Sequence, residues 1–412
     1  VKQQQVHLHV AEGMLTAVRQ DDEFGAHLKI VVGFHCPMAK DSFLSAPSMS
    51  LENLVKKHVL SQPVYEPGKP IEEVARELGL DPHGIAKLAS NESPFGSSPK
   101  AVAAVRAWAE NAWLYPDGGC YELKNKLAAK RGVVPEQLII GNGSNEIIEL
   151  LCHCFLNEQT SLVAAEHAFV VYRLMAKLFG AKYIEVPDPG FIHDLDAMAQ
   201  AITEDTRLVF IANPNNPTGT MVDGVMIERF LDRIPDHVIA VFDEAYHEFL
   251  EEPPDTIGQV RKGKNVCVMR TFSKAQGLAA LRIGYGIAPK EIADLLNRAR
   301  QPFNANAIAQ AGALAALGDD EHVSRTVDNN AEGLAFFEKS FDQRGLHYVE
   351  SKANFVLVEV GDGDAVFAGM LSRGVIVRAM RGYKLPEWVR ISVGTKEENE
   401  RCIEVLDEVL KD

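Results

Sequence analysis

The sequence predicts an α/β protein, with a large domain built on a mostly parallel sheet wrapped by helices and a smaller α+β domain at the C-terminal end. Three observations lead to this expectation. Short, continuous apolar runs recur through the middle of the chain, as strands buried on both faces of a parallel sheet require. Segments of helical spacing fall between them, the alternation of a doubly wound sheet. After about Asn304 that alternation gives way to an Ala-rich stretch and a different order of elements. The chain has 412 residues, 46% hydrophobic and 24% charged, which suits two domains with separate cores.

Taken in order, residues 1–48 show no clear period, no helix-start signal and no secretory pattern. They read as an N-terminal extension that is disordered or dispensable. Residues 49–90 read as an arm with helices. Leu51 to Leu60 is spaced as a short amphipathic helix, and Ile71 to Leu80 as another. Pro63, Pro67, Gly68 and Pro70 hold the chain extended between them. Residues 91–303 form the large domain. Its expected strands are Leu138–Ile140, Ser161–Ala164, Leu208–Ile211, Val238–Phe242 and Val266–Met269, and its helices include Ser144–Phe155 and Phe169–Gly180. Residues 304–412 form the small domain, with a long Ala-rich helix, strands at Phe355–Val360, Val375–Arg378 and Val389–Val393, and a last helix from Lys396 to Leu410.

Charge and cysteine usage exclude several classes. The chain carries 57 acidic and 42 basic residues, a net charge of −15, which repels nucleic-acid backbones and anionic lipid. No apolar run reaches the roughly 18 residues of a membrane span. Six cysteines scattered through a core-forming chain read as reduced thiols of the cytoplasm. Cys152-His153-Cys154 lies on an apolar helix and reads as packing, and His7, His9, His27, His35 and Cys36 match no standard ligand spacing, so no metal is expected.

Ligands of open parallel sheets bind beyond the carboxyl ends of the strands, so the residues after each strand carry the argument. Gly141-Asn142-Gly143-Ser144-Asn145-Glu146 follows the first expected strand and opens a helix, a candidate phosphate cradle. Asn213 to Gly219 packs two Asn-Pro pairs and a glycine into a rigid polar loop. Asp243 ends a buried apolar strand, where a carboxylate needs a cationic partner, and Tyr246 follows three residues on. Thr271-Phe272-Ser273-Lys274 follows the next strand, with Arg282 eight residues after Lys274. A lysine desolvated at a strand end is suited to a Schiff base, and an arginine to phosphate. Together they supply what pyridoxal 5′-phosphate (PLP) needs: partners for a phosphate, a ring nitrogen, a phenolic oxygen and an aldehyde.

At these positions the chain resembles the fold type I aminotransferases, and within them it is similar to the histidinol-phosphate aminotransferases. The likeness extends through Tyr65-Glu66-Pro67-Gly68-Lys69-Pro70, Leu88 to Gly96, Tyr115-Pro116-Asp117-Gly118 and Val389 to Gly394, covering about residues 51–412. The resemblance implies that Lys274 carries PLP and moves the proton, that Asp243 pairs with the ring nitrogen, and that Asn216 and Tyr246 hold the phenolic oxygen. It implies that Gly143, Ser144, Asn145, Ser273 and Arg282 surround the phosphate and that Phe169 stacks on the ring. Tyr115 would reach the phosphate of the other subunit of a homodimer. Tyr65, Asn91, Arg378 and Arg390 would meet the substrate.

The implied reaction is transfer of an amino group between L-histidinol phosphate and 2-oxoglutarate, giving imidazole-acetol phosphate and L-glutamate. Departures from the usual pattern fall at Gln276, at Ala165 to Ala168, and at Ala379 and Arg381. They bear on substrate preference. An aromatic amino acid aminotransferase fits nearly the same residues, and a phosphothreonine decarboxylase keeps the cofactor site. A PLP-sensing transcription regulator would need a DNA-binding domain, for which residues 1–48 show neither paired helices nor a basic cluster.

Overall fold

The computed structural model describes the backbone of residues 6–11, 14–19 and 29–32, and residues 51–64 and 68–411 with their side chains. Residues 1–57 and 58–412 form two compact units. In the first, β1 (Val6–Ala11), β2 (Met14–Arg19) and β3 (Lys29–Val32) make an antiparallel meander in which Val6 faces Arg19 and Leu15 faces Val32. These strands were not anticipated from the sequence. The side chains of His7, His9, His27, His35 and Cys36 lie outside the described residues, as does Tyr65.

Leu51 to Leu60 is not one helix. It holds a 3₁₀ turn at Leu51–Asn53 and a single α turn at Lys57–Leu60, neither with a buried residue. Segments this short gain too few hydrogen bonds to offset the cost of nucleating a longer helix. Ile71–Leu78 does form and stops at Gly79 in the left-handed conformation. The short strand β4 (Ala86–Lys87) follows.

The large layer is a seven-stranded sheet. Its strands are β5 (Leu138–Gly141), β6 (Ser161–Ala165), β7 (Lys182–Val186), β8 (Thr206–Ala212), β9 (Ile239–Asp243), β10 (Val266–Thr271) and β11 (Gly284–Ile287), in the order β5-β11-β10-β9-β8-β6-β7. Only β11 runs antiparallel to its neighbours. The five expected strands all form, each within a residue or two of its expected ends. The edge strand β7 and the glycine-rich β11 were missed. Every residue of β5, β6, β9, β10 and β11 is buried. The apolar side chains divide into one cluster on each face of the sheet, which explains why the strands read as continuous apolar runs.

The small layer contains β12 (Tyr348–Val349), β13 (Phe355–Glu359), β14 (Val375–Ile376), β15 (Arg378–Ala379) and β16 (Trp388–Ser392). Four of these form an antiparallel sheet in the order β12-β13-β16-β15, while β14 pairs with β4. The single strand expected at Val375–Arg378 therefore divides, its first half joining the N-terminal arm and its second half β16. The Ala-rich helix is also shorter than expected: Ala307–Ala316 ends before Gly318, and the long helix is Asp320–Asp342. Ala309, Ala313 and Ala316 pack in the same cluster as Ala101 and Leu278 of the large layer. The Ala-rich helix that follows residue 304 thus packs with the large layer. No helix among the described residues is long and apolar enough to cross a membrane.

Candidate active site

One cleft collects most of the residues singled out from the sequence. Asn91, Ser144, Asn145, Phe169, Asn216, Asp243, Tyr246, Ser273, Lys274, Arg282, Arg378 and Arg390 all line it. Topology explains the convergence. In the sheet register Ala212 and Met269 both pair with Asp243, and Gly284 pairs with Thr271 on one side and Gly141 on the other. The carboxyl ends of β8, β9, β10 and β5 therefore open on one edge, with β11 spacing β5 from β10.

Asp243 ends β9 and is 6% exposed. Its Oδ2 accepts a 2.8 Å hydrogen bond from Tyr172 Oη, whereas Oδ1 is buried without a hydrogen-bond partner among the described residues. Burial pushes the carboxyl up to about 6, opposed by the Tyr172 hydroxyl and the Ala245 N–H. A buried acceptor left open at a cleft is costly, and it fits a ligand that brings an N–H.

Lys274 follows β10 in a turn. Its Nζ donates to Ser90 O at 3.3 Å and lies 5.7 Å from the centre of the Tyr246 ring. Burial brings its pKa down to about 8, and the Arg390 and Arg282 charges act in the same direction. Near neutral pH an amine so placed holds a usable neutral fraction.

Tyr246 Oη accepts from Asn91 Nδ2 at 2.9 Å, and burial first of all lifts its pKa to about 12. The phenol keeps its proton and can donate it into the cleft. Asn91 is itself fixed: its N–H donates to Ser392 Oγ at 2.9 Å, and its Oδ1 accepts from the same hydroxyl at 2.7 Å. Arg390 of β16 donates to Asn216 Oδ1 and, at 2.8 Å, to Ala89 O. With its oxygen engaged, Asn216 has its amide N–H groups to offer.

Gly143, Ser144 and Asn145 form the start of the helix Ser144–Phe155, where backbone N–H groups are free to meet an anion. Gly143 has φ +78, and a Cβ there would lie 2.5 Å from Arg282 Nη2. Only glycine lets the guanidinium lie against the helix start. Arg282 Nη1 donates to Ala279 O at 2.9 Å. Ser273 Oγ accepts from Thr271 Oγ1 at 2.9 Å, leaving its own proton to give. A helix start, a hydroxyl and a guanidinium at one place suit a phosphate.

Phe169 sits edge-on to Tyr172, with ring centres 5.7 Å apart. Tyr115 does not join the cleft within this chain. It is 82% exposed and stacks on Phe303 at 4.9 Å. Several residues at or behind the site were given no role from the sequence: Tyr172, Ser90, Glu92, Thr271 and Tyr383. Ser90, Glu92 and Tyr172 lie inside stretches that the resemblance covers, but nothing in the sequence alone marks them. Among the described residues Glu166, His167 and Asp188 bring possible metal-donor atoms within 4.8 Å of one another. Glu166 is bonded to Lys384, and His167 Nδ1 to Asp188 at 2.6 Å. Cys152 is buried in the core and its thiol is pushed up to about 12 by burial, the opposite of what a thiolate ligand needs.

The fold and this cleft define a fold type I PLP-dependent transferase. The family model for aminotransferase class I and II matches residues 83–406, and the chain belongs to that family. It is 56% identical to the histidinol-phosphate aminotransferase of Akkermansia muciniphila over 363 residues, 88% of this chain and 100% of the relative. It is 46% identical to histidinol-phosphate aminotransferase 2 of Pasteurella multocida over 88% of this chain and 100% of that one. The structure superposes with a TM-score of 0.79 on the crystal structure of histidinol-phosphate aminotransferase from Sinorhizobium meliloti in complex with pyridoxal 5′-phosphate, at 27% identity, covering 87% of this chain and 97% of the other.

Proposed function

We propose that the protein is a PLP-dependent aminotransferase that interconverts L-histidinol phosphate and 2-oxoglutarate with imidazole-acetol phosphate and L-glutamate, a step of histidine biosynthesis. The observation that carries the reading is the open Oδ1 of Asp243 in the same cleft as Lys274, Arg282 and the Gly143–Asn145 helix start. These residues fit PLP group by group. Bound there, PLP supplies a carbonyl that takes up the amino group and a protonated ring that draws electrons from the substrate's Cα–H bond.

The chain's residues supply the rest. Asp243 holds the ring proton by Oδ1. Tyr246 and Asn216 donate toward the phenolic oxygen. Ser144, Asn145, Ser273 and Arg282 anchor the phosphate, and Phe169 covers a face of the ring. Lys274 carries the cofactor and then moves a proton to and from substrate Cα, a role matched to a pKa of about 8. Arg390 and Arg378 take substrate anions in turn, a carboxylate of glutamate or the phosphate of histidinol phosphate. By the resemblance, Tyr65 would line the substrate pocket with Asn91.

Relatives that are 45–56% identical and named histidinol-phosphate aminotransferases support this reading over an aromatic amino acid aminotransferase. We further propose a cytoplasmic homodimer in which Tyr115 meets the partner's phosphate. The supporting observation is the exposed apolar run Trp113-Leu114-Tyr115 beside Phe303, since contiguous apolar surface marks an interface.

The test is kcat/KM of PLP-loaded protein with 2-oxoglutarate and L-histidinol phosphate, L-phenylalanine or L-tyrosine. Clear preference for histidinol phosphate supports the proposal, and equal or faster turnover of the aromatic amino acids refutes its substrate. Lys274→Ala is expected to lower turnover on the order of 10²–10⁴-fold.

A further inference from the structure

We propose that Tyr172 is a positioning residue for the cofactor's ring nitrogen: its hydroxyl holds Asp243 so that the free oxygen of that carboxylate is the one presented to the ring. The inference rests on the PLP reading of the cleft and goes one residue behind it.

Three observations carry it. Tyr172 is wholly buried on the helix Val170–Leu178 and stacks on Phe210 of β8, with ring centres 4.5 Å apart and planes at 22°. It is too firmly wedged to follow a moving carboxylate. Its Oη donates to Asp243 Oδ2 at 2.8 Å. The other oxygen, Oδ1, is buried and has no hydrogen-bond partner among the described residues. A carboxylate gripped by one oxygen cannot turn about its Cβ–Cγ bond without breaking that bond, so Tyr172 decides which oxygen faces the cleft. Hydrogen bonds to the ionised form also favour it.

The groups that face Asp243 are the Tyr172 hydroxyl, the Ala245 N–H, Glu244 and Lys274. Among these, Tyr172 is the one side chain bonded to it. The phenol stays protonated because burial, and next the Asp243 charge, lift its pKa well above the ordinary tyrosine value. It therefore remains a donor across the working pH range. Phe169 leans edge-on against the same ring, so Tyr172 also backs the residue expected to cover the cofactor. Nothing in the sequence distinguishes Tyr172 from the apolar face of its helix.

The experiment compares cofactor binding by native and Tyr172→Phe apoprotein, using PLP and an analogue with carbon in place of the ring nitrogen. The substitution keeps the stacked ring and removes only the hydroxyl. Native protein must bind PLP, or the underlying reading of the site fails first. Given that, Tyr172→Phe is expected to weaken PLP binding by about ten- to a hundred-fold, the range for a hydrogen bond to a charged group. It is expected to bind the carbon analogue as well as native protein does. Equal weakening with both ligands would mean that the phenol merely supports the fold, and would overturn the proposal. If Tyr172→Phe does not accumulate, 3-fluorotyrosine at position 172 allows the same comparison by fluorine NMR. Its resonance is expected to move when PLP binds and to move differently with the analogue, and an identical response to the two would refute the role.

Discussion

Two neighbouring carboxylates at the end of β9 meet opposite fates. Asp243 and Glu244 are both buried, at 6% and 2% exposure, and burial pushes both carboxyls above their ordinary range. Glu244 turns away from the cleft and is fully engaged. Arg270 donates to Oε2 through Nε at 2.9 Å and pairs through Nη2 at 2.7 Å, Thr256 donates to Oε1, and His247 lies 3.4 Å away. Asp243 has one phenol bonded to Oδ2, the Ala245 N–H nearby, and no hydrogen-bond partner for Oδ1 among the described residues. The chain completes the carboxylate that fastens β9 to β10 and leaves incomplete the one that meets a ligand. Burial and sequence position do not separate structure from function here. The count of unsatisfied hydrogen bonds does.

The comparison can be broken most forcefully at Glu244. Glu244→Gln leaves Arg270 buried without its counter-charge, and we expect a loss of about 3–5 kcal/mol in unfolding free energy by denaturant titration. Turnover per folded molecule should stay near native. Asp243→Asn should do the reverse, lowering kcat/KM on the order of 10²–10³-fold, as loss of a preorganised electrostatic partner does, without destabilising the apoprotein.

The sign of the stability effect at Asp243 follows from linkage. The folded state holds this proton to about pH 6, whereas the ordinary value is 3.8, so between these values the folded form binds more protons. Its stability therefore falls as pH rises from about 4 to 6 and remains reduced above that. The gap corresponds to about 3 kcal/mol. Stability curves of native and Asp243→Asn apoprotein should coincide near pH 4 and separate in favour of the variant by pH 7. The smallest expected effect is at Ser392, two bonds removed from Tyr246. Ser392→Ala strands the buried Asn91 amide and should cost about 1–3 kcal/mol of stability, with a modest fall in kcat/KM.

The sequence made much of this arrangement legible, for physical reasons. Strands buried on both faces must be apolar throughout, so β5, β6, β8, β9 and β10 stood out. The polar residues interrupting them at their carboxyl ends, Asn213, Asp243 and Lys274, stood out by contrast. The strand β7 was hidden because Lys182 and Glu185 mix charge into an edge strand, where solvent permits it. The strand β11 was hidden by its glycines. A Cβ on Gly284 would lie 2.6 Å from Ser144 N and 3.0 Å from Arg270 O, so the strand is glycine-rich because it is squeezed between neighbours. Tyr172 was hidden because a buried phenol with a partner reads as one more apolar helix position. The ten residues from Leu51 misled by the opposite error, showing helical spacing where only a 3₁₀ turn and one α turn form, neither with a buried residue.

The central claim is that the open oxygen of Asp243 waits for the protonated ring of PLP. Thermal unfolding of native, Glu244→Gln and Asp243→Asn apoproteins with and without PLP tests it most directly, because a ligand that binds only the folded state raises Tm by an amount that grows with the logarithm of its affinity. The account predicts that PLP raises Tm by similar amounts in native protein and Glu244→Gln, and by clearly less in Asp243→Asn. Equal gains in all three would contradict it.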